Sequence, residues 1–285
     1  MSDRLGDPKL RRESWTRCTE EAYEFMREAR ALRVRECGAP LRPLQGAAAG
    51  AGVQVTFSTR PHVGGRPRMF YLRSGLIEDF LAVCRAMNDR GWRLHVEDAY
   101  RSRQMQRELS LQDYTFDAIL DRVRWELGGR MPDADLLLRR CSVLVATMPK
   151  VATHMAGSAL DVSVYALDDG LEVDRGAAYL EMSELTCMDS PFCGPEARRN
   201  RKEITAIFER FGFVAYPFEF WHYSKGDVFE AQLRGESRQA RYGAVDFEPS
   251  TGKVRAIAQP GRQLVSVDTV RRMIEKRLSG GRQDR

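Results

Sequence analysis

The sequence has little histidine and no long apolar run. No apolar stretch approaches the roughly 18 residues that a membrane-crossing helix needs, and the N-terminal residues MSDRLGDPKLRRESW lack the apolar segment of a secretory signal. We therefore expect a cytoplasmic protein with no membrane partner. The pattern HExxH is also absent, which excludes the helical zinc-protease signature. Histidine occurs only four times in 285 residues, at His62, His95, His154 and His222.

The cysteines form no CxxC pair, which disfavours the usual sequence patterns of a zinc site or a redox site. In a chain without an export signal we expect them to be reduced thiols. None has a histidine neighbour in sequence, so the sequence does not favour a cysteine nucleophile either. The six cysteines are Cys18, Cys37, Cys84, Cys141, Cys187 and Cys193.

The positive net charge is concentrated at one end of the chain. Apolar residues make up 43% and charged residues 30%, which is ordinary globular composition. The net charge is +5, yet residues 250–285 contain nine Lys or Arg and only three Asp or Glu. The rest of the chain is therefore close to neutral. A basic tail can contact nucleic acid or anionic surfaces, but we interpret this one as a solvated tail and expect no nucleic-acid partner.

The order of predicted elements favours an α+β fold with a small antiparallel central sheet flanked by helices. Strands and helices are mixed without the regular alternation that produces a parallel sheet. We divide the chain into a helical extension with an Ala/Gly linker (1–52), a main domain (53–250) and a basic tail with a possible helix (251–285). The predicted helices are 10–36, 74–91, 103–127, 133–143, 196–211 and 270–278, and the predicted strands are 53–57, 93–100, 160–165, 213–216 and 220–224.

Two imidazoles and a carboxylate form a candidate metal site. His154, Asp161 and His222 offer the nitrogen and oxygen ligands that Zn²⁺ accepts, with a fourth position left for water. Gly157 lets the chain turn between the first two of them. Asp161 opens an alternating stretch that predicts a strand with Val162 and Val164 on its core face.

Glu219 is the candidate general base, because a carboxylate near a metal-activated water can accept its proton. In a regular strand Glu219 and His222 point to opposite faces, so the chain has to bend between them. Pro217 makes such a break plausible. Arg101 follows a predicted strand, where a fixed guanidinium can stabilise the oxyanion that forms on a carbonyl under attack. His62 and His95 receive no functional assignment.

These segments together resemble the zinc peptidases of the D-Ala-D-Ala dipeptidase and carboxypeptidase group, the M15 or VanX-like metallopeptidases. The family pattern is approximately SxHxxGxAxD, then ExWH, with an earlier Tyr-Arg pair. The resemblance covers about residues 53–250. The matching residues are Tyr100 and Arg101, then His154, Gly157, Ala159 and Asp161, then Glu219, Trp221 and His222.

The resemblance implies a Hedgehog/DD-peptidase-like α+β domain and one Zn²⁺ held by His154, Asp161 and His222. It implies Glu219 as base and acid, and Arg101 as the partner of the carbonyl oxygen. It also implies substrates that are small peptides ending in D-Ala, most simply free D-Ala-D-Ala. Candidate substrate contacts are Tyr100, Thr153, Ser158, Glu181 and Trp221.

Three positions depart from the family pattern. Ala152 replaces a serine, Ala156 replaces an arginine, and Leu180 stands where VanX-like enzymes carry the aspartate that docks the substrate's amino group, with Glu181 beside it. These departures keep two alternatives open on the same scaffold: a DD-carboxypeptidase or a cell-wall peptide endopeptidase. A third alternative is a zinc-binding module without catalysis.

Overall fold

A computed structural model describes residues 6–235 and 239–280 of the chain. The helices are α1 (Pro8–Ala31), α2 (Leu44–Ala51), α3 (Ile77–Asp89), α4 (Arg103–Leu111), α5 (Asp113–Glu126), α6 (Ala134–Val145), α7 (Pro195–Arg210), α8 (Val228–Arg234) and α9 (Val267–Gly280). The strands are β1 (Leu41–Pro43), β2 (Val55–Phe57), β3 (Tyr71–Arg73), β4 (Trp92–Asp98), β5 (Ala159–Ala166), β6 (Val214–Ala215), β7 (His222–Ser224), β8 (Val245–Glu248) and β9 (Lys253–Ala256).

The central sheet has five strands in the order β2-β4-β5-β7-β6. Every neighbouring pair is antiparallel except β2 and β4, which run parallel. Two further pairs, β1 with β3 and β8 with β9, form small separate sheets. The α+β prediction is thus confirmed, and the parallel β2–β4 pair is the exception to an antiparallel sheet.

Strand β5 is the centre of this sheet, and its alternation separates the core from the candidate metal site. Val162 and Val164 belong to the main core cluster, which packs one face of the sheet against α2, α3 and α7. Asp161 points to the opposite face. A register shift in β4 between Val96 and Asp98 sets Asp98 opposite Asp161, and Asp161 is paired with His222 on β7. The bulge therefore aligns three polar residues across three strands.

The Ala/Gly segment is a helix and not the linker that the composition predicts. Helix α2 buries Leu44 and Ala48 in the main core. Alanine is the best helix former, and Gly52 ends the helix in the left-handed conformation with φ of 63°. The division of the chain at residue 52 stays a prediction.

Two more helical predictions need correction. The predicted helix 103–127 is divided into α4 and α5 at Gln112, whose backbone is extended. The basic tail is not simply solvated, because α9 buries Val270 and Ile274 against α5 and α6. These two residues are four apart and so lie on one helix face. Among the described residues, no helix combines the length and the apolar composition that crossing a membrane requires.

Helix α1 is fastened to the body by buried polar groups. The Trp15 indole donates to Glu126 at 3.2 Å, and the buried Arg140 donates to Glu126 at 3.0 Å and to Glu20 at 2.8 Å. Cys18 on the same helix forms a disulfide with Cys187. That pairing corrects the expectation that all six cysteines are reduced. It joins two residues that are 169 positions apart in sequence, which sequence spacing does not reveal.

Candidate active site

The fold brings the three candidate metal ligands together. One ligand atom each from His154, Asp161 and His222 lies within 4.8 Å of the others, and all three residues are buried. His154 lies in the short 3₁₀ turn Thr153–Ala156 that precedes β5, Asp161 lies on β5, and His222 is the first residue of β7. The antiparallel pairing of β5 with β7 therefore positions two of the three ligands.

In each imidazole, one nitrogen contacts a group that is not a candidate ligand, and the other nitrogen faces Asp161. His154 Nδ1 lies 2.5 Å from the Ala99 carbonyl oxygen, and its Nε2 lies 3.2 Å from Asp161 Oδ1. His222 Nε2 lies 3.0 Å from Thr153 Oγ1, and its Nδ1 lies 3.0 Å from Asp161 Oδ1. Metal-binding histidines are typically oriented by such outer hydrogen bonds. Burial lowers the pKa of His222, which favours the neutral ring that a metal needs.

Glu219 lies beside these residues because the chain turns twice between Tyr216 and His222. The Glu219 amide donates to the Tyr216 carbonyl at 3.3 Å, and the His222 amide donates to the Glu219 carbonyl at 3.1 Å. The required bend is therefore present, and Glu219 Oε2 is 4.0 Å from His222 Nδ1. Burial raises the pKa of Glu219 well above its usual value, and the neighbouring Asp161 raises it further. A carboxyl group with a raised pKa is suited to exchanging protons.

Arg101 connects the candidate metal site to a second buried carboxylate. Its Nη2 donates to Asp161 Oδ2 at 2.8 Å and its Nε donates to Asp98 Oδ2 at 2.7 Å. Burial alone would lower the pKa of Arg101, but the charges of Asp98 and Asp161 raise it overall. The guanidinium therefore stays charged at the edge of the site.

Sequence reasoning missed the residues that surround Arg101 and Asp161. Asp98 Oδ2 lies 3.1 Å from His62 Nε2 and 3.3 Å from Arg68 Nη1. Burial tends to raise the pKa of Asp98, but Arg101 and His62 lower it strongly. Asp98 and Arg101 are three positions apart in the sequence, and this spacing could have indicated that they form a pair. Nothing near His62 in sequence indicates its partner, because the contact forms only in the folded chain.

Tyr179 is a further residue at the site, and no sequence pattern marks it. Its hydroxyl donates to Asp161 Oδ2 at 3.2 Å, and its ring meets Trp221 edge-on with centroids 5.6 Å apart. Asp161 thus receives hydrogen bonds from Arg101 and Tyr179 on one oxygen, while its other oxygen faces both histidines.

The site opens into a cavity of about 340 Å³. Arg101, the three candidate ligands and Glu219 all line it, and so do the predicted substrate contacts Thr153, Glu181 and Trp221. The other two predicted contacts do not line it. Tyr100 is fully buried and donates to the Val245 carbonyl at 2.8 Å. Ser158 is fully buried and donates to Asp227 Oδ2 at 2.7 Å. Both hydroxyls therefore support the surrounding structure instead of facing a ligand.

Gly157 lies between the candidate ligands His154 and Asp161, and substitution there tests how tightly the turn before β5 is packed. Its φ is +65°, and a Cβ atom there would overlap the Leu41 side chain. We expect Gly157→Ala to lower the free energy of unfolding by about 2–4 kcal/mol, from left-handed strain and overpacking together. Gly170→Ala is the control, because Gly170 has φ of +72° but no neighbour within 4 Å. Urea denaturation of both variants measures the difference, and equal losses would contradict the overlap.

Comparisons with known proteins relate this chain to one peptidase family. The family model Peptidase_M15, described as D-ala-D-ala dipeptidase, matches residues 76–235. A D-alanyl-D-alanine dipeptidase of Synechocystis sp. is 28% identical over 227 residues, which are 69% of this chain and 86% of the relative. A D-alanyl-D-alanine dipeptidase of Enterococcus faecium is 35% identical over 72 residues, which are 25% of this chain and 36% of that protein.

Two solved structures are similar at lower identity. The LD-carboxypeptidase LdcB has 17% identity and a TM-score of 0.36, with 78% of this chain and 81% of that chain covered. The D,D-pentapeptidase VanY, solved with Zn(II), has 15% identity and a TM-score of 0.33, with 63% and 83% covered.

The segment matched by the family model contains the candidate ligands and catalytic residues. It includes Arg101, Glu219 and the three candidate ligands, and it spans more than half of the chain. The chain therefore belongs to the D-ala-D-ala dipeptidase family, Peptidase_M15, and is a metallopeptidase.

Proposed function

We propose that this chain is a zinc-dependent D-alanyl-D-alanine dipeptidase in which Glu219 is the general base. The observation that carries the proposal is the meeting of His154, Asp161 and His222 with Glu219 in one cavity. The dipeptidases of Synechocystis sp. and Enterococcus faecium support D-Ala-D-Ala as the substrate. The product is two molecules of D-alanine, since water adds across the single peptide bond.

The donor set fits zinc. Two imidazole nitrogens and one carboxylate are a common three-ligand set for catalytic Zn²⁺, and both rings already present one nitrogen toward the shared centre. Bound Zn²⁺ supplies a Lewis acid that lowers the pKa of water and polarises a carbonyl group. His154, Asp161 and His222 would hold the ion.

The protein's own groups account for the proton transfers and the charge that develops. Glu219 accepts a proton from the attacking water as the oxygen bonds to the carbonyl carbon. The charge that forms on the carbonyl oxygen is stabilised by Arg101, whose guanidinium is already fixed by Asp98. Glu219 then returns the proton to the departing amine nitrogen as the C–N bond breaks.

Glu181 supports a free dipeptide as the substrate. It lines the cavity, where its negative charge also acts on the nearby Arg122. A carboxylate in that position can bind the ammonium group that a free dipeptide carries and an acylated peptide lacks. This assignment gives Glu181 the role that an aspartate has in the VanX-like pattern, where this chain has Leu180.

We expect the zinc-loaded chain to hydrolyse D-Ala-D-Ala. It should not hydrolyse L-Ala-L-Ala, and it should hydrolyse N-acetyl-D-Ala-D-Ala much more slowly than the free dipeptide. Glu181→Gln is expected to raise KM for the free dipeptide about tenfold or more, because it removes the charged partner of the ammonium group. Amino-acid analysis of released alanine measures both, and removal of zinc by a chelator should stop the reaction until zinc is restored.

The same assay separates the alternative functions. Cleavage of the acetylated peptide alone would identify a carboxypeptidase or an endopeptidase. No cleavage by a folded, zinc-loaded protein would reject both enzymatic assignments and favour a zinc-binding module. The cytoplasmic location and the absence of a nucleic-acid partner stay predictions.

A further inference from the structure

The cavity extends well beyond the catalytic groups along an apolar wall. We name this wall the apolar arm. Several of its side chains also pack on the second core cluster, which α5, α6 and α9 form. Its members are Leu109 on α4, Ala118 on α5, Val143 and Leu144 on α6, and Met182 in the segment that follows β5.

The backbone is strained at two points of this cavity. Among the described residues, Ala146 and Leu180 are the non-glycine residues with positive φ, at 48° and 66°, and both line the cavity. Strained residues concentrate at functional sites, because stability alone does not select them. Leu180 is also 51% exposed, so an apolar side chain is held in an unfavourable conformation without being buried in the core.

The cavity is larger than two alanine residues require. Cavities of about 300–1,000 Å³ typically enclose ligands of drug size, and this one has about 340 Å³. The two methyl groups of D-Ala-D-Ala leave the apolar arm unfilled. A larger apolar ligand would cover this surface and remove it from water, which is favourable.

The position of Glu181 indicates which part of the substrate faces the arm. Glu181 stands between Leu180 and Met182, and all three line the cavity. A substrate whose ammonium group binds Glu181 therefore places its N-terminal residue beside apolar side chains. The side chain of that residue is the substrate group nearest to the arm.

We propose that the apolar arm is a specificity site for the N-terminal side chain, and that the preferred substrates are D-dipeptides with a large apolar N-terminal residue followed by D-Ala. This inference rests on the proposed function, and it changes the substrate from D-Ala-D-Ala alone to a class that includes D-Leu-D-Ala. Each additional buried methylene increases binding about fourfold, so D-Leu-D-Ala is expected to have at least a tenfold higher kcat/KM than D-Ala-D-Ala.

The test compares three dipeptides with the full-length, zinc-loaded chain: D-Ala-D-Ala, D-Leu-D-Ala and D-Ala-D-Leu. The variant Ala118→Leu fills the arm from α5 and is expected to reduce the preference for D-Leu-D-Ala at least tenfold. Ala49→Leu is the matched control, because Ala49 is exposed on α2 and lies outside the cavity. It should keep the ratio of the two kcat/KM values.

A binding measurement separates this inference from the proposed function. Isothermal titration calorimetry of zinc-loaded Glu219→Gln is expected to give a lower Kd for D-Leu-D-Ala than for D-Ala-D-Ala. If D-Leu-D-Ala bound more tightly but the wild-type chain hydrolysed neither dipeptide, the arm would still be supported as a binding site. The peptidase assignment would then be rejected. If the chain hydrolysed D-Ala-D-Ala, and D-Leu-D-Ala had the same kcat/KM and the same Kd as D-Ala-D-Ala, the arm would not be a specificity site. A preference for D-Ala-D-Leu would overturn its assignment to the N-terminal residue.

Discussion

Replacing Glu219 by glutamine is expected to lower kcat by about a hundred- to ten-thousandfold, the usual contribution of a general acid–base group. Glutamine keeps the shape of the side chain but cannot accept the proton of the attacking water. Because Glu219 is not among the three clustered ligands, the variant should retain its zinc. Steady-state kinetics on D-Ala-D-Ala and metal analysis of the same preparation measure the two properties together.

Glu203→Gln serves as the control for that substitution. Glu203 is an exposed glutamate that pairs with Arg90 and does not line the cavity, so its replacement should leave kcat within twofold or so of the wild-type value. If Glu219→Gln kept its zinc and lost less than tenfold in kcat, another group would have to be the base. Loss of zinc from Glu219→Gln would instead indicate that the carboxylate helps to hold the ion.

A large effect on stability is expected from Glu126→Gln. Glu126 is the buried partner of Arg140, which is only 1% exposed, and it also accepts the hydrogen bond of Trp15. The substitution leaves a buried guanidinium without its main counter-charge, and breaking such a pair costs about 3–5 kcal/mol. Urea denaturation should show this loss in the free energy of unfolding.

An exposed pair on helix α1 provides the control. Glu21 lies 4.0 Å from Arg17 and its side chain is 62% exposed, so Glu21→Gln should change the free energy of unfolding by no more than about 0.5 kcal/mol. A similar loss in both variants would contradict a large contribution of the buried Glu126–Arg140 pair to stability.

The candidate ligands could be predicted because each is marked by short-range sequence patterns. His154, Gly157 and Asp161 lie within eight residues, and the alternation after Asp161 defines the inward face of β5. Glu219 and His222 are three apart, and the bend they require is present. The main helices were predictable for the same reason, since their apolar residues recur with helical spacing.

The remaining features depend on contacts between distant segments. The bulge that sets Asp98 opposite Asp161 changes the register by one residue, and the alternation of β4 does not encode it. His62 and Tyr179 become neighbours of the site only when separate loops fold against the sheet. The packing of α9 depends in the same way on α5 and α6. Composition alone also misled at α2, because small residues are common to linkers and to closely packed helices.

Helix α1 contributes to the cavity from outside the part of the chain that the family shares. It lies outside the segment matched by the family model, yet Met26 lines the cavity. The same helix is joined by the Cys18–Cys187 disulfide and by an ion pair between Arg11 and Glu184 to the segment that carries Glu181. The lining of the cavity thus extends through Met26 beyond the matched segment, which itself contains the catalytic groups and the apolar arm. Exchange of this helix between relatives would alter one wall of the cavity and leave the hydrolytic residues in place, and a fragment cut at residues 76 and 235 would lose that wall.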